Sequence, residues 1–426
     1  MTSTIRQIRL PLAEPRARAA ARLWAAAAVV LALMPLGMAI AHRSSPTFLV
    51  LATVLAFAAE GVDGRLGAFV HRARAAFSTV LGRTTIAFLV YAFVSIGWSA
   101  YPAVSLRAFG ELVLCTGSAF GLALLLPGRP PRWVHWILVG SLIGACLVII
   151  FELRTGLVLR RAAGVEAGGY IFNRPVLTVL VCLVPLLAFL TKQGGWRVAL
   201  AAGLALLVLV TERTSESGAA GLGILAGVVA WASAILAPSS ARLAAAAGVV
   251  FAFGMAPFLG SVGNQLIPPE LHRGLSGSHS RERIDIWISF GDAIRKQPLL
   301  GGGFGVSSRI ADTAVAADFT PERRAALNMG HAHNAPMQIW AELGLVGVLL
   351  SAAVLVLILR SLAFLPPQVF APALGLFAGA FAVSLVGHGA WQGWWAAALG
   401  AAIVWFRILT PTHEASSRRT PVPTSS

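Results

Sequence analysis

Charge is scarce in this 426-residue chain. Asp, Glu, Lys and Arg make up 12% of it, against about 25% in soluble proteins, while 57% is hydrophobic and the mean hydropathy is +0.78. At this length that excludes an ordinary soluble fold and leaves a polytopic membrane protein. Cysteine is also scarce. Cys115, Cys146 and Cys182 each lie inside an apolar run, without metal spacing or evident pairing, and read as small hydrophobes. No internal repeat is visible. Acidic residues are half as common as basic ones, 17 against 33, giving a net charge of +16. In a soluble protein that excess would point to nucleic acid. Here most basic residues flank apolar runs, so lipid headgroups and topology account for them, and no nucleic-acid partner is expected.

What is abundant is apolar sequence long enough to cross a bilayer, about 20 residues at a time. Twelve runs begin near Leu23, Thr47, Thr85, Leu106, Trp133, Pro175, Arg197, Ala219, Leu243, Ala335, Val369 and Trp391. The second is short enough to tilt or re-enter. Arg6, Arg9, Arg16, Arg18 and Arg22 precede an apolar stretch ending Ala39-Ile40-Ala41, which resembles a signal peptide. That stretch is long enough to span and others follow, so an uncleaved first anchor is expected.

Charge orients the runs. Besides the five N-terminal arginines, one side collects Arg65, Arg72, Arg74, Arg83, Arg129, Arg132, Lys192, Arg197, Arg242, Arg360, Arg407, Arg418 and Arg419. The short loops on the other side are poor in charge. The positive-inside rule places both termini in the cytoplasm. Two outer loops carry charge of their own. One holds Arg154, Arg160, Arg161 and Arg174; the other runs from about Gly260 to Asn334. Long loops translocate despite charge, and a long connection is usually functional. Within the second, Trp287, Phe290 and Ile294 mark an amphipathic helix, which lies on the membrane surface or covers a cavity. Pro298-Leu299-Leu300-Gly301-Gly302-Gly303 then breaks the chain. The expected organisation is a basic cytoplasmic N-terminus (1–22), spans one to nine (23–260), an outer catalytic loop (261–334), spans ten to twelve (335–407) and a disordered cytoplasmic tail (408–426).

The chemistry gathers on the outer side. His331, His333 and Asn334 stand at the mouth of span ten, and Arg213, Arg281 and Arg283 share that side. Polar groups at a membrane boundary are expensive unless they act. Arginine forks match phosphate oxygens. Asn334 is a good N-cap and Pro336 fits a first helical turn, so the positive end of that helix also faces an external anion. His333 suits a general base near neutral pH. A base beside an anion site suits attack by a hydroxyl on a phosphate-activated carbon. Diphosphate leaves readily and needs charge stabilisation, which arginines supply without a metal.

The pair His333-Asn334, then nine residues, then Gly344-x-x-Gly347 resembles the signature of the O-antigen ligase and O-antigen or exopolysaccharide polymerase superfamily. Ser95-Ile96-Gly97-Trp98-Ser99-Ala100-Tyr101-Pro102 and Arg283-Ile284-Asp285-Ile286-Trp287 with Pro298-to-Gly303 add to the likeness, from about residue 85 to 360. The resemblance implies an all-α polytopic membrane protein of about 12 transmembrane helices, similar to glycosyltransferases of the C type (GT-C), with a long, partly helical periplasmic loop between helices 9 and 10. It implies a metal-independent, inverting glycosyltransferase in the bacterial inner membrane, without cofactor. The donor would be an undecaprenyl-diphosphate-linked glycan. The acceptor would be the lipid A core for an O-antigen ligase, or a second lipid-linked glycan for a polymerase. His333 would be the catalytic base, and Arg213, Arg283 and Arg281 would bind diphosphate.

Two departures stand out. Ligases tend to carry Arg-Gly-Ala where this chain reads Ser217-Gly218-Ala219, with Arg213 a turn earlier, and Val348 stands where a second glycine is usual. Other readings stay open at several residues. His331 is a helper of His333 or a loop residue. His331, His333 and His388 form a weak metal pattern, and no metal is expected. Glu342, in span ten, is functional or a hydrogen-bonded structural group. Arg107 and Glu111 read as a local ion pair. Arg160, Arg161 and Arg174 bind anionic sugars or solvate a loop. Gly344 and Gly347 allow close helix approach. A twelve-helix transporter is the alternative of another class, weakened by the missing repeat.

Overall fold

The computed structural model describes residues 13–165, 168–266 and 280–410. Arg6, Arg9 and the tail from 411 onward, expected to be disordered, lie outside the described residues. Every regular element among the described residues is helical. In chain order they are α1 (Ala13–Ala32), α2 (Met34–Ile40), α3 (Ser45–Val62), α4 (Leu66–Ser78), α5 (Val80–Val94), α6 (Pro102–Leu125), α7 (Val134–Arg154), α8 (Val158–Ala162) and α9 (Asn173–Gln193). There follow α10 (Trp196–Thr214), α11 (Gly218–Leu236), α12 (Pro238–Met255), α13 (Leu259–Leu266), α14 (Ser280–Lys296), α15 (Pro321–Leu327), α16 (Ala335–Leu362), α17 (Pro367–Val386) and α18 (Gly393–Leu409).

A helix lies at or beside each of the twelve predicted starts. Nine helices among the described residues are long and apolar enough to cross a membrane, or ten if the pair around Leu33, bent by 45°, is one span. The exceptions are α10, whose 19 residues include Arg197, Glu212 and Arg213, and α18, which has only 17 residues. The α4 segment, read from sequence only as a basic loop, is a helix with no buried residue.

Packing follows composition. The last helix, α18, sits against α3, α6 and α9, and its Trp405 is fully buried in the main apolar core. Helices α11 and α17 pack closely, with Gly223 and Gly227 facing Gly375 and Gly379. A Cβ on Gly379 would come 2.8 Å from the Gly223 carbonyl oxygen, so the backbones meet as small-residue membrane interfaces do.

Buried carboxylates pin the two ends of the bundle. At one end Glu60 pairs with Arg72 at 2.9 Å, and Arg129 reaches Asp63 at 3.6 Å. At the other, Glu152 pairs with Arg160 at 3.1 Å, and Arg160 also donates to the Ala39 carbonyl at 2.7 Å. Arg160 is thus a tie between α2, α7 and α8, which settles one of the arginines left open by the sequence.

Candidate active site

The site is built on the C-terminal end of α17. A helix leaves its last carbonyls without intrahelical partners. Here three consecutive ones are taken by side chains from elsewhere. Asn334 Nδ2 donates to Leu385 at 3.1 Å, Arg283 to Val386 at 2.5 Å, and His333 Nδ1 to Gly387 at 2.9 Å. These carbonyls are the negative end of the helix and suit a cation such as Arg283. A backbone carbonyl only accepts, so Nδ1 of a neutral His333 ring carries the proton. Nε2 therefore keeps its lone pair.

Asn334 works in two directions. Its Oδ1 accepts from Met337 N at 2.9 Å and caps α16, as its sequence position predicts. His333 just before it has φ +50°, a left-handed conformation rare for a non-glycine residue. Its ring bond to Gly387 and its N–H, which donates to His331 Nδ1 at 3.2 Å, hold it there.

The loop before α16 is clamped to that helix where it breaks. Gly344 has φ 59° and ψ −161°, and a Cβ there would lie 2.4 Å from the Leu299 carbonyl carbon. The glycine segment fills the break: Gly302 N donates to Ala341 O at 2.9 Å, Gly303 N to Glu342 O at 2.8 Å, and Leu345 N to Pro298 O at 2.8 Å. Tyr91 Oη takes Leu343 O at 2.9 Å. The expected close helix approach at Gly344 is thus an approach of loop backbone to a broken helix. The motif's Ser95 and Ser99 belong to the same junction, since Phe304 N donates to Ser95 Oγ at 3.1 Å and Gly303 lies against Ser99.

Glu342 is fully buried at this junction. Its Oε1 accepts from Ser307 N at 3.2 Å and Gln338 Nε2 at 2.9 Å. Its Oε2 accepts from Gly305 N at 2.6 Å and Trp391 Nε1 at 2.5 Å. All four partners are donors, the match an ionised carboxylate requires. Of the two roles read from sequence, the structural one fits this geometry.

The predicted amphipathic helix is α14. Phe290 and Ile294 are buried against α15 and the start of α16, and Trp287 Nε1 donates to Ala332 O at 3.0 Å. It covers the histidine segment and delivers a half-buried Arg283 beside His333. Arg281, two residues earlier, is exposed. Arg213 is 77% exposed and pairs with Glu212 at 3.4 Å, so it borders the site without entering it. Its neighbourhood is close, because Gly387 lies against Ala219 at the start of α11. The expected Arg107–Glu111 pair is absent among the described residues. Glu111 instead accepts from Gly393 N at 3.0 Å and so caps α18.

Burial pushes the His333 imidazole below its ordinary range. The Gly387 bond opposes this and nearby Arg283 reinforces it. Burial takes His331 and His388 down to about 3. All three rings are therefore neutral near pH 7. His331 stacks beside His333 with centroids 4.1 Å apart. No group of three His, Cys, Asp or Glu side chains among the described residues is arranged to hold a metal ion. Sequence reasoning missed the α17 carbonyls and Gln338, since backbone acceptors carry no residue signature.

Residues 178–352 match the family described as O-antigen ligase. That stretch contains Arg213, Arg281, Arg283, His333 and the break at Gly344. Three relatives are described as candidate polysaccharide ligases. The one from Rickettsia felis is 23% identical over 319 residues, covering 74% of this chain and 76% of its own. The Rickettsia conorii protein is 22% identical over 315 residues, covering 73% and 75%. The Rickettsia bellii protein is 24% identical over 339 residues, covering 77% and 79%. With its many apolar helices the chain is a multi-pass membrane protein, and across the histidine site it is similar to the O-antigen ligase family.

Proposed function

We propose that the protein is a metal-independent, inverting glycosyltransferase that moves a glycan from undecaprenyl diphosphate to an acceptor hydroxyl, in the manner of an O-antigen ligase whose acceptor is the lipid A core. The observation that carries this reading is the His333–Gly387 bond at 2.9 Å, which leaves Nε2 free as a base beside Arg283. The acceptor O–H gives its proton to Nε2, and its oxygen attacks the anomeric carbon from the face opposite the diphosphate. The carbon–oxygen bond to diphosphate breaks and its electron pair stays on the leaving oxygen. Arg283 stabilises that charge, with Arg281 and Arg213 at the rim. An arginine fixed on a backbone carbonyl is pre-oriented, so little reorganisation is needed as charge develops.

A lipid carrier is supported by an apolar cavity of about 320 Å³ between α9, α10, α11 and α17. Leu180, Leu187, Trp231 and Trp395 line it, and the Trp395 ring stands 5.7 Å from that of His388, so the cavity leads toward the histidines. In this reading α10 and α18 also cross the membrane, which makes twelve spans with both termini cytoplasmic. The site then faces the periplasm from the inner membrane.

The test supplies purified protein with undecaprenyl-diphosphate glycan and one of two acceptors. Glycan joined to the lipid A core is the expected result. A ladder built only on a second lipid-linked glycan would make the protein a polymerase, and uptake of solute without any glycan product would overturn the reading.

A further inference from the structure

Beyond His331 the site continues into a part that the transfer chemistry above does not use. Arg174, in the first turn of α9, is half-buried and stands over the Trp394 ring at 5.6 Å. No carboxylate pairs with it among the described residues. The other face of the Trp394 environment is His388, whose ring meets the indole edge-on at 4.5 Å. Nε2 of His388 is buried and has no hydrogen-bond partner. His331 packs against Gly389, the next residue. A row therefore runs from Arg283 through His333 and His331 to His388, Trp394 and Arg174. Arg283 lies close enough to His333, and Arg174 close enough to His331 and His388, to disfavour their protonated forms. Arg43 adds to the positive field around Arg174.

A desolvated guanidinium without a counter-ion, next to an unpaired buried imidazole nitrogen, is costly unless a ligand completes it. Its planar fork and fixed charge suit a phosphate or carboxylate. We propose that Arg174 and His388, braced by Trp394, form a second oxyanion subsite that holds an acidic group of the glycan acceptor. The proposal rests on the transferase reading for the acceptor's identity. His333 needs the acceptor hydroxyl at its Nε2 while Arg283 holds the donor diphosphate. The acceptor body then extends away from Arg283, toward His331 and Arg174. Neutral His388 donates from Nε2 when that nitrogen carries its proton, and Arg174 supplies the charge.

The experiment has two arms on purified protein in lipid. In the first, donor and acceptor are varied separately for wild type, Arg174→Met and Arg174→Lys. The Met variant should raise the acceptor KM about tenfold or more, as loss of a charge-assisted hydrogen bond does, with the donor KM unchanged. Lys should recover part of the loss. In the second, 5-fluorotryptophan-labelled protein is titrated with inorganic phosphate, and the Trp394 resonance is assigned through Trp394→Phe. That resonance should move in wild type and stay still in Arg174→Met. A raised donor KM with an unchanged acceptor KM would assign the subsite to the donor diphosphate and overturn the acceptor claim. Unchanged KM values together with a phosphate-insensitive Trp394 would remove the subsite altogether. If wild type transfers no glycan, the transferase reading fails, and the fluorine titration still decides whether the oxyanion subsite exists.

Discussion

Replacing Glu342 by Gln removes one of two acceptor oxygens from a group that faces four donors. Whichever oxygen becomes NH2, two donors lose their partner: Ser307 N and Gln338 Nε2, or Gly305 N and Trp391 Nε1. Rotating the Gln338 amide does not rescue the first case, because Gln338 Oε1 already accepts from Ala390 N at 2.8 Å. Each buried unpaired donor costs about 1–3 kcal/mol, so the substitution should weaken the loop-to-α16 junction by about 2–6 kcal/mol. Amide hydrogen exchange reads that locally. The Gly305 and Ser307 amides should exchange about 30-fold to 10⁴-fold faster, with α3 and α7 unaffected. Unchanged exchange at both amides would refute the assignment of Glu342 as a four-way acceptor. A loss of glycan transfer without faster exchange would instead move Glu342 into the chemistry.

Three further outcomes follow from the same geometry. Gly344→Ala should cost about 1–3 kcal/mol in backbone strain alone, and its Cβ would meet the Leu299 backbone, so thermal unfolding in lipid should shift down markedly. Arg283→Lys should lower transfer about 10²-fold, because a point charge cannot both hold the Val386 carbonyl and fork onto a diphosphate. Burial disfavours protonated His333, so it remains a free base as pH falls through the ordinary histidine range. The acidic limb of transfer should therefore lie below pH 6.5, and a rate already halved at 6.5 would contradict the burial argument.

Much of this site is legible in the sequence, for local reasons. Asn334 before Ala335-Pro336 announces a capped helix, and the cap forms. Trp287, Phe290 and Ile294 announce a buried face on α14, and they provide it. The misreadings share one cause, that spacing along a helix does not show what packs across from it. Arg107 and Glu111 have the spacing of an ion pair, yet Glu111 is drawn to the unpaired N–H of Gly393 on α18. Arg160 looks like a free loop cation, but it neutralises the buried Glu152 and also holds the Ala39 carbonyl, 121 residues away along the chain. The α17 carbonyls that organise Arg283, His333 and Asn334 belong to the backbone of Leu385, Val386 and Gly387, side chains that signal nothing. Arg213 lies a turn before the position of the Arg-Gly-Ala pattern of ligases, and its side chain is exposed and paired with Glu212.

The account turns on His333 as the base. The most direct measurement is single-turnover transfer from undecaprenyl-diphosphate glycan by His333→Asn and His333→Ala, with donor binding measured on the same preparations. Asn tolerates the left-handed backbone and can still donate to the Gly387 carbonyl, but it cannot accept a proton. Both variants should bind donor normally and lose about 10²-fold to 10⁴-fold in transfer rate. A His333→Asn rate within about threefold of wild type would contradict the assignment, since position would then matter and basicity would not.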